Sequence, residues 1–335
     1  LINVLTMPLE AENLNLKFTH LGLEEGLSQN AVNCMLQDRE GFLWFGTEDG
    51  LNKFDGYKFT IFRHEPGDSS SVNNNFIGTI VEGSEDVLWI GTRQGLNKFD
   101  KRSGTFTWNP HKLKNFDRQS NEEVRAIVED ARGILWIGTY GGGMYKFNTI
   151  TQTTELFNNN SESNCLSNNF IQTIYEASDS VLWIGTDGGG LCKFNKNSGK
   201  FINYKHNPAD DNSLCSNYIL RIFRDSKGIF WIGTTGGLSV FNAKTNNFRN
   251  YTHKKDDPDG LGHNEVRDIF EDKFGQLWIG TYGGGLNVFN RRSEKFTHFK
   301  YQPYNQQSIK NDFIISIYQD AGSNIWICHK GAGLS

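Results

Sequence analysis

The sequence predicts an all-β fold, a seven-bladed β-propeller built from four-stranded antiparallel blades. Three observations carry that prediction. Seven of the eight tryptophans recur at positions 44, 89, 136, 183, 231, 278 and 326, at spacings of 45, 47, 47, 48, 47 and 48 residues. Around them stand near-copies of one motif, LWIGT followed by a glycine-rich step and an apolar run, from Leu43 to the shorter IWICHKGAGLS at Ile325. Glycine (36) and asparagine (36) are abundant, proline (6) is scarce, and aromatics reach 13% although apolar residues total only 37%. That is the composition of a turn-rich β chain with an aromatic core. A length of 335 residues would ordinarily suggest two domains of about 150. The repeat divides it instead into seven periods of about 48.

The sixth repeat shows the elements in order. Val266 to Asp272 is apolar and β-branched, and a Lys-Phe-Gly turn leads to LWIGT. A glycine hairpin at Gly283 to Gly285 reverses the chain into LNVFN, and an NRRSE turn leads to KFTHF before a longer connection. Short runs joined by Gly and Asn/Asp/Ser turns read as an antiparallel meander. Four strands per period of about 40–50 residues make a propeller blade. A helical solenoid would need apolar residues at three- and four-residue spacing, which the repeats lack.

Each recurrent residue has an architectural task. The tryptophan fills the wedge between blades, contributing about 3 kcal/mol when fully buried. The glycine two places on (Gly46, Gly91, Gly138, Gly185, Gly233, Gly280) admits the next blade. The glycine before the third strand (Gly50, Gly95, Gly143, Gly190, Gly237, Gly285, Gly333) suits a positive φ. Asp38, Asp130, Asp225, Asp272 and Asp320 each stand six places before a tryptophan, where they cap the first turn.

The propeller is expected over residues 13–335. KFTHLGLEEGLSQN from Lys17 matches the fourth strand and connection beginning at Lys295, so the N-terminal strand contributes to the last blade. That blade is expected to be incomplete, because Ser335 falls where its third strand begins. Residues 1–12 read as the remnant of a signal peptide or as a disordered terminus.

The net charge is −4 (34 minus 38) without a basic block, so no nucleic-acid partner is expected. The five cysteines lack CxxC spacing, and the eight histidines lack HExxH, so no metal site is expected. Cys165 and Cys215 lie in equivalent connections of adjacent repeats and are the pair that could form a disulfide. The acidic connections HEPGDSSSV, HNPADDNSL and HKKDDPDGL lack calcium-loop spacing and read as solvated turns. No P-loop, GxGxxG after a strand, or GxSxG occurs, so neither a cofactor nor a catalytic residue is assigned.

The run D-x-x-G-x-L-W-I-G-T-x-x-G-G-L-x-x-F-[DN] resembles the two-component regulator propeller repeat, over all seven copies from about Lys17 to Ser335. The resemblance implies the extracytoplasmic sensor of a hybrid two-component receptor of Bacteroides-like bacteria. Its location would be periplasmic or on the extracellular face, with the membrane reached only through a region outside this chain. The implied partners are an oligosaccharide or other extracellular small ligand, a further propeller and a β-sandwich domain of the same polypeptide, and a downstream histidine kinase.

A fold does not give a function, so the site is sought in residues that break the repeat. In the second-to-third-strand hairpins these include Arg93, Tyr140, Asp187, Tyr282 and His329. Near the start of the first strands are Arg125, Arg221 and Arg267, with Arg221 one place out of register. Tyrosines beside arginines and acids suit a sugar ring and its hydroxyls, whereas a ring of arginines would suit an anionic glycan. Trp108, outside the tryptophan period, offers a surface platform or an outer-strand packing residue. The leading reading is a non-catalytic sensor. The alternatives are a propeller glycosidase or polysaccharide lyase, whose two carboxylates sequence alone does not locate, and a protein-interaction scaffold that pairs as a homodimer.

Overall fold

The computed structural model describes residues 16–84, 86–108, 123–159 and 164–335. Residues 1–12, with the leader reading placed on them, lie outside these. The described residues form twenty-six strands and no helix. The first blade is β1 (Val32–Gln37), β2 (Leu43–Thr47), β3 (Gly50–Phe54) and β4 (Phe59–Phe62), adjacent in chain order and antiparallel. Five more sheets repeat that order: β5 (Ile77–Glu82) to β8 (Thr105–Trp108), β9 (Val124–Glu129) to β12 (Thr154–Phe157), β13 (Ile171–Ser178) to β16 (Lys200–Tyr204), β17 (Ile219–Arg224) to β20 (Asn247–Tyr251), and β21 (Val266–Glu271) to β24 (Lys295–Phe299).

Among the described residues there are thus six four-stranded blades, not the seven expected. The seventh sheet contains only β25 (Ile314–Gln319) and β26 (Ile325–His329). Leu334 joins it through single bridges to Cys328 and to Leu21. Ser335 continues the pairing beside β26, exchanging both backbone hydrogen bonds with Ile327 at 2.8 and 3.0 Å. The ring nevertheless closes, with β25 and β26 against β1 and the Trp326 ring 5.8 Å from Phe45.

The core lies between blades. Trp44 packs with Ile77, Ile80 and Phe99 of the next blade. The close approach expected at the LWIGT glycine is present: a Cβ at Gly185 would lie 2.6 Å from Cγ2 of Ile219 in the following blade. The hairpin glycines take the expected left-handed conformation, as at Gly50 with φ +113°. Asp38 caps its turn by accepting the N–H groups of Glu40 and Phe42. Its second oxygen also accepts the indole N–H of Trp44 at 2.8 Å, a bond repeated by Asp225 and Trp231 at 2.9 Å. The repeat aspartate therefore orients the core tryptophan as well as the turn.

On the face carrying these turns, a basic side chain from every second blade reaches back to the preceding one. Lys101 lies 3.6 Å from Asp38, Lys196 3.1 Å from Asp130 and Arg291 2.6 Å from Asp225. Gly56, Thr149 and Ala243 occupy the corresponding positions of the alternate blades. Burial alone would raise the Asp130 and Asp225 carboxyls, but the bonds from Lys196, Arg291 and the indoles outweigh it and hold both below the usual carboxylate range.

No disulfide joins Cys165 and Cys215. The Cys215 sulfur faces Thr234 Oγ1 at 3.2 Å and Ser239 Oγ at 3.0 Å instead. Burial pushes the Cys34 thiol up to about 12, which leaves it unreactive.

Candidate functional site

The second-to-third-strand hairpins and the blade-to-blade connections meet on one face, around the mouth of the ring. Their register is fixed by backbone bonds between adjoining elements. Tyr140 donates its N–H to Glu123 O at 2.8 Å, Asp187 to Phe170 O at 2.8 Å, and Tyr282 to Glu265 O at 2.9 Å. Each hairpin residue is thereby held beside the residue that immediately precedes the first strand of its own blade. Isolated bridges pair Tyr140 with Phe170, Asp187 with Tyr218, and Tyr282 with Phe313.

The structure brings together six of the nine site candidates on this mouth or just inside it. The Arg125 guanidinium lies 4.8 Å from the Tyr140 ring centroid, and its Nε is 2.7 Å from Glu123 Oε1. The Tyr140 phenol donates to Asp187 Oδ2 at 2.6 Å. That bond, with burial, pushes the Tyr140 pKa up. Arg267 covers the Tyr282 ring at 5.0 Å and pairs with Glu265. Arg93 lies over the Phe76 ring at 4.0 Å.

The other three stand apart from this cluster. Arg221 is one place further along its inner strand, where its Nε meets the buried Asp268 at 2.8 Å. Asp268 also accepts Ser316 Oγ at 2.9 Å and the Ile317 N–H at 2.7 Å, so this group joins three inner strands. His329 is not an exposed hairpin residue. It takes the strand position that the other repeats give to threonine, is fully buried, and meets Ser335 Oγ at 2.8 Å. Trp108 holds a connection in place through its indole N–H to Ser71 O. Asn250 does the same at the equivalent position of the fifth blade, donating to Ser213 O at 2.8 Å.

Six mouth residues in one register escaped the sequence reading: Phe76, Glu123, Phe170, Tyr218, Glu265 and Phe313. Each immediately precedes the first strand of a repeat. The aromatic ones remain open, with Phe170 38%, Tyr218 50% and Phe313 40% exposed. The available signal was a large aromatic one place outside an apolar strand, where turn residues are the rule.

The sequence raised two ligand chemistries, and the charged side chains at the mouth bear on both. Arg125, Arg221 and Arg267 each face a carboxylate within their own cluster, and Lys330 is 2.7 Å from Glu48. These arginines are thus paired, whereas Arg93 lies over the Phe76 ring. Open aromatic rings beside paired donors and acceptors can stack on a flat face and exchange hydrogen bonds with hydroxyls.

These features define a β-propeller with one polar, aromatic-studded face. The chain belongs to the two component regulator propeller repeat family, whose model matches residues 26–49, 71–94, 118–141, 165–188, 213–236 and 260–283. Histidine kinase P4 of Formosa agariphila is 47% identical over 73 residues, which are 22% of this chain and 5% of that protein. The extracellular domain of a protein described as hybrid two component system BT3049 of B. thetaiotaomicron superposes with a TM-score of 0.81 at 30% identity, over 95% of this chain and 41% of that one. The corresponding domain of BT4673 gives 0.76 at 25% identity, over 96% and 39%. The chain thus spans less than half the length of these relatives.

Proposed function

We propose that this chain is the ligand-sensing propeller of a two-component signalling receptor, positioned outside the cytoplasm. The observation that carries the reading is its similarity, along 95% of its length, to the extracellular domain of a protein described as a hybrid two component system. The ligand is a neutral oligosaccharide that docks on the mouth formed by Arg125, Tyr140, Phe170, Tyr218 and Tyr282. The chain is a binding module, and its partners are further domains of the same polypeptide leading to a histidine kinase. A bound ligand signals by its difference in affinity for two arrangements of those domains, since a ligand binding both equally shifts nothing. Calorimetry of the purified chain against neutral di- to hexasaccharides tests this. Saturable heat with at least one of them is expected; silence across the set from folded protein overturns direct sensing by this domain.

A further inference from the structure

The mouth contains one arrangement twice. At the third blade, Glu123, Arg125 and Tyr140 combine with Phe170 of the next blade. At the sixth, Glu265, Arg267 and Tyr282 combine with Phe313 of the next. The two copies agree in detail. The arginine covers the tyrosine at 4.8 and 5.0 Å. The tyrosine meets the phenylalanine edge-on at 4.9 Å and 70° in one and at 4.7 Å and 61° in the other. Phe170 and Phe313 are 38% and 40% exposed. No other repeat has glutamate before its first strand, arginine two places on and tyrosine in the hairpin.

Architecture alone does not require the set. Repeats such as the first, with Ala31, Asn33 and Glu48 at these positions, close equally well. In each copy the arginine is paired with the glutamate two places before it. Glu123 Oε1 and the Nε atoms of Arg125 and Arg267 are buried without a hydrogen bond, although Arg125 and Glu123 are 2.7 Å apart. The rest of each pair stays within reach of solvent: the Arg125 and Arg267 side chains are 33% and 36% exposed and those of Glu123 and Glu265 15% and 23%, so their other nitrogens and oxygens can exchange hydrogen bonds with a hydroxyl.

We infer that the face carries two homologous subsites, three blades apart, each taking one uncharged sugar ring. This rests on the sensing role proposed above. The exposed phenylalanine supplies the stacking edge, and the glutamate–arginine pair supplies acceptor and donor for adjacent hydroxyls. Because each arginine already faces a glutamate, a carboxylate on the ligand gains no free cation and meets a like charge. The subsites differ in one neighbour. The residue following in the ring is Asp187 at the first, bonded to the Tyr140 phenol, and Lys330 at the second, bonded to Glu48. Two unequal affinities follow.

The test is calorimetry with maltose, cellobiose, lactose and laminaribiose as neutral probes and digalacturonate as the charged one. At least one neutral disaccharide is expected to bind at two per chain, and digalacturonate at least tenfold more weakly. Arg125→Ala and Arg267→Ala each reduce the stoichiometry to one, and the double variant removes binding. Phe170→Ser and Phe313→Ser, at open positions, repeat the pattern should an arginine variant misfold. One disaccharide per chain, lost through only one member of each pair, overturns the duplication and leaves sensing intact. Tighter binding of digalacturonate overturns the uncharged class. Silence toward every disaccharide overturns the subsites; saturable heat with a longer neutral oligosaccharide then leaves sensing intact, and silence there as well overturns it too.

Discussion

The Tyr140 phenol donates a 2.6 Å hydrogen bond to the carboxylate of Asp187, joining the hairpins of two successive blades at the mouth. Its counterpart, Tyr282, keeps the stacking partner but has Lys330 where Asp187 would stand. Removing one hydroxyl from each distinguishes them. Tyr140→Phe is expected to cost about 1.5–3 kcal/mol, the range for a bond to a charged acceptor. Tyr282→Phe should remain within about 0.5 kcal/mol. Urea unfolding of the two variants side by side checks the difference; equal losses would show that the cross-blade bond contributes nothing.

Lys196 and Lys146 both approach Trp136, at 5.9 Å, from different surroundings. Lys196 is 2% exposed and pairs with Asp130, itself 1% exposed, whereas Lys146 pairs with Glu155 in solvent. Removing one partner of a buried pair leaves an uncompensated charge and costs about 3–5 kcal/mol. Lys196→Met is therefore expected to lower stability by about 3 kcal/mol, and Lys146→Met by less than about 0.5. Chemical denaturation measures both, and comparable small losses would rule out the alternating latch as a stabilising element.

His329 gives the protein a defined response to acid. Burial pushes its pKa down to about 4, whereas an unfolded histidine titrates near 6.5. Between those values the unfolded chain binds a proton that the folded chain refuses. Its share of the stability is complete above about pH 6.5, falls as the pH drops and is exhausted below about pH 4, a change of about 3 kcal/mol. His329→Thr, restoring the residue of the other repeats, should remove that component. Unfolding free energies of parent and variant from pH 7 to pH 4 test this, and parallel curves would contradict it.

The fold was legible because its signals are local. Trp44 and its six counterparts, the tight Gly185 and the left-handed Gly50 act within one strand or hairpin, and a fixed period exposes them. The latch from Lys196 to Asp130 joins residues 66 apart in neighbouring blades, so only the assembled ring reveals it. Tyr140 and Tyr282 stood out because they break the repeat. Glu123 and Phe170 did not, because their place at the mouth depends on pairing between a connection and a hairpin. His329 was displaced by one register step: Cys328 takes the glycine position, which puts His329 in the threonine position and inside the core. Trp108 was placed on its strand correctly, but its indole bond to Ser71 O depends on a loop 37 residues earlier.

Hydrogen exchange with and without a saturating neutral disaccharide tests most directly whether the mouth binds ligand. Protection is expected at 140–143, 168–172, 187–190, 282–285 and 311–315, the hairpins and connections that carry Tyr140, Tyr282 and the open Phe170 and Phe313. Protection confined to the opposite face, at turns such as 38–42 and 242–247, would contradict it.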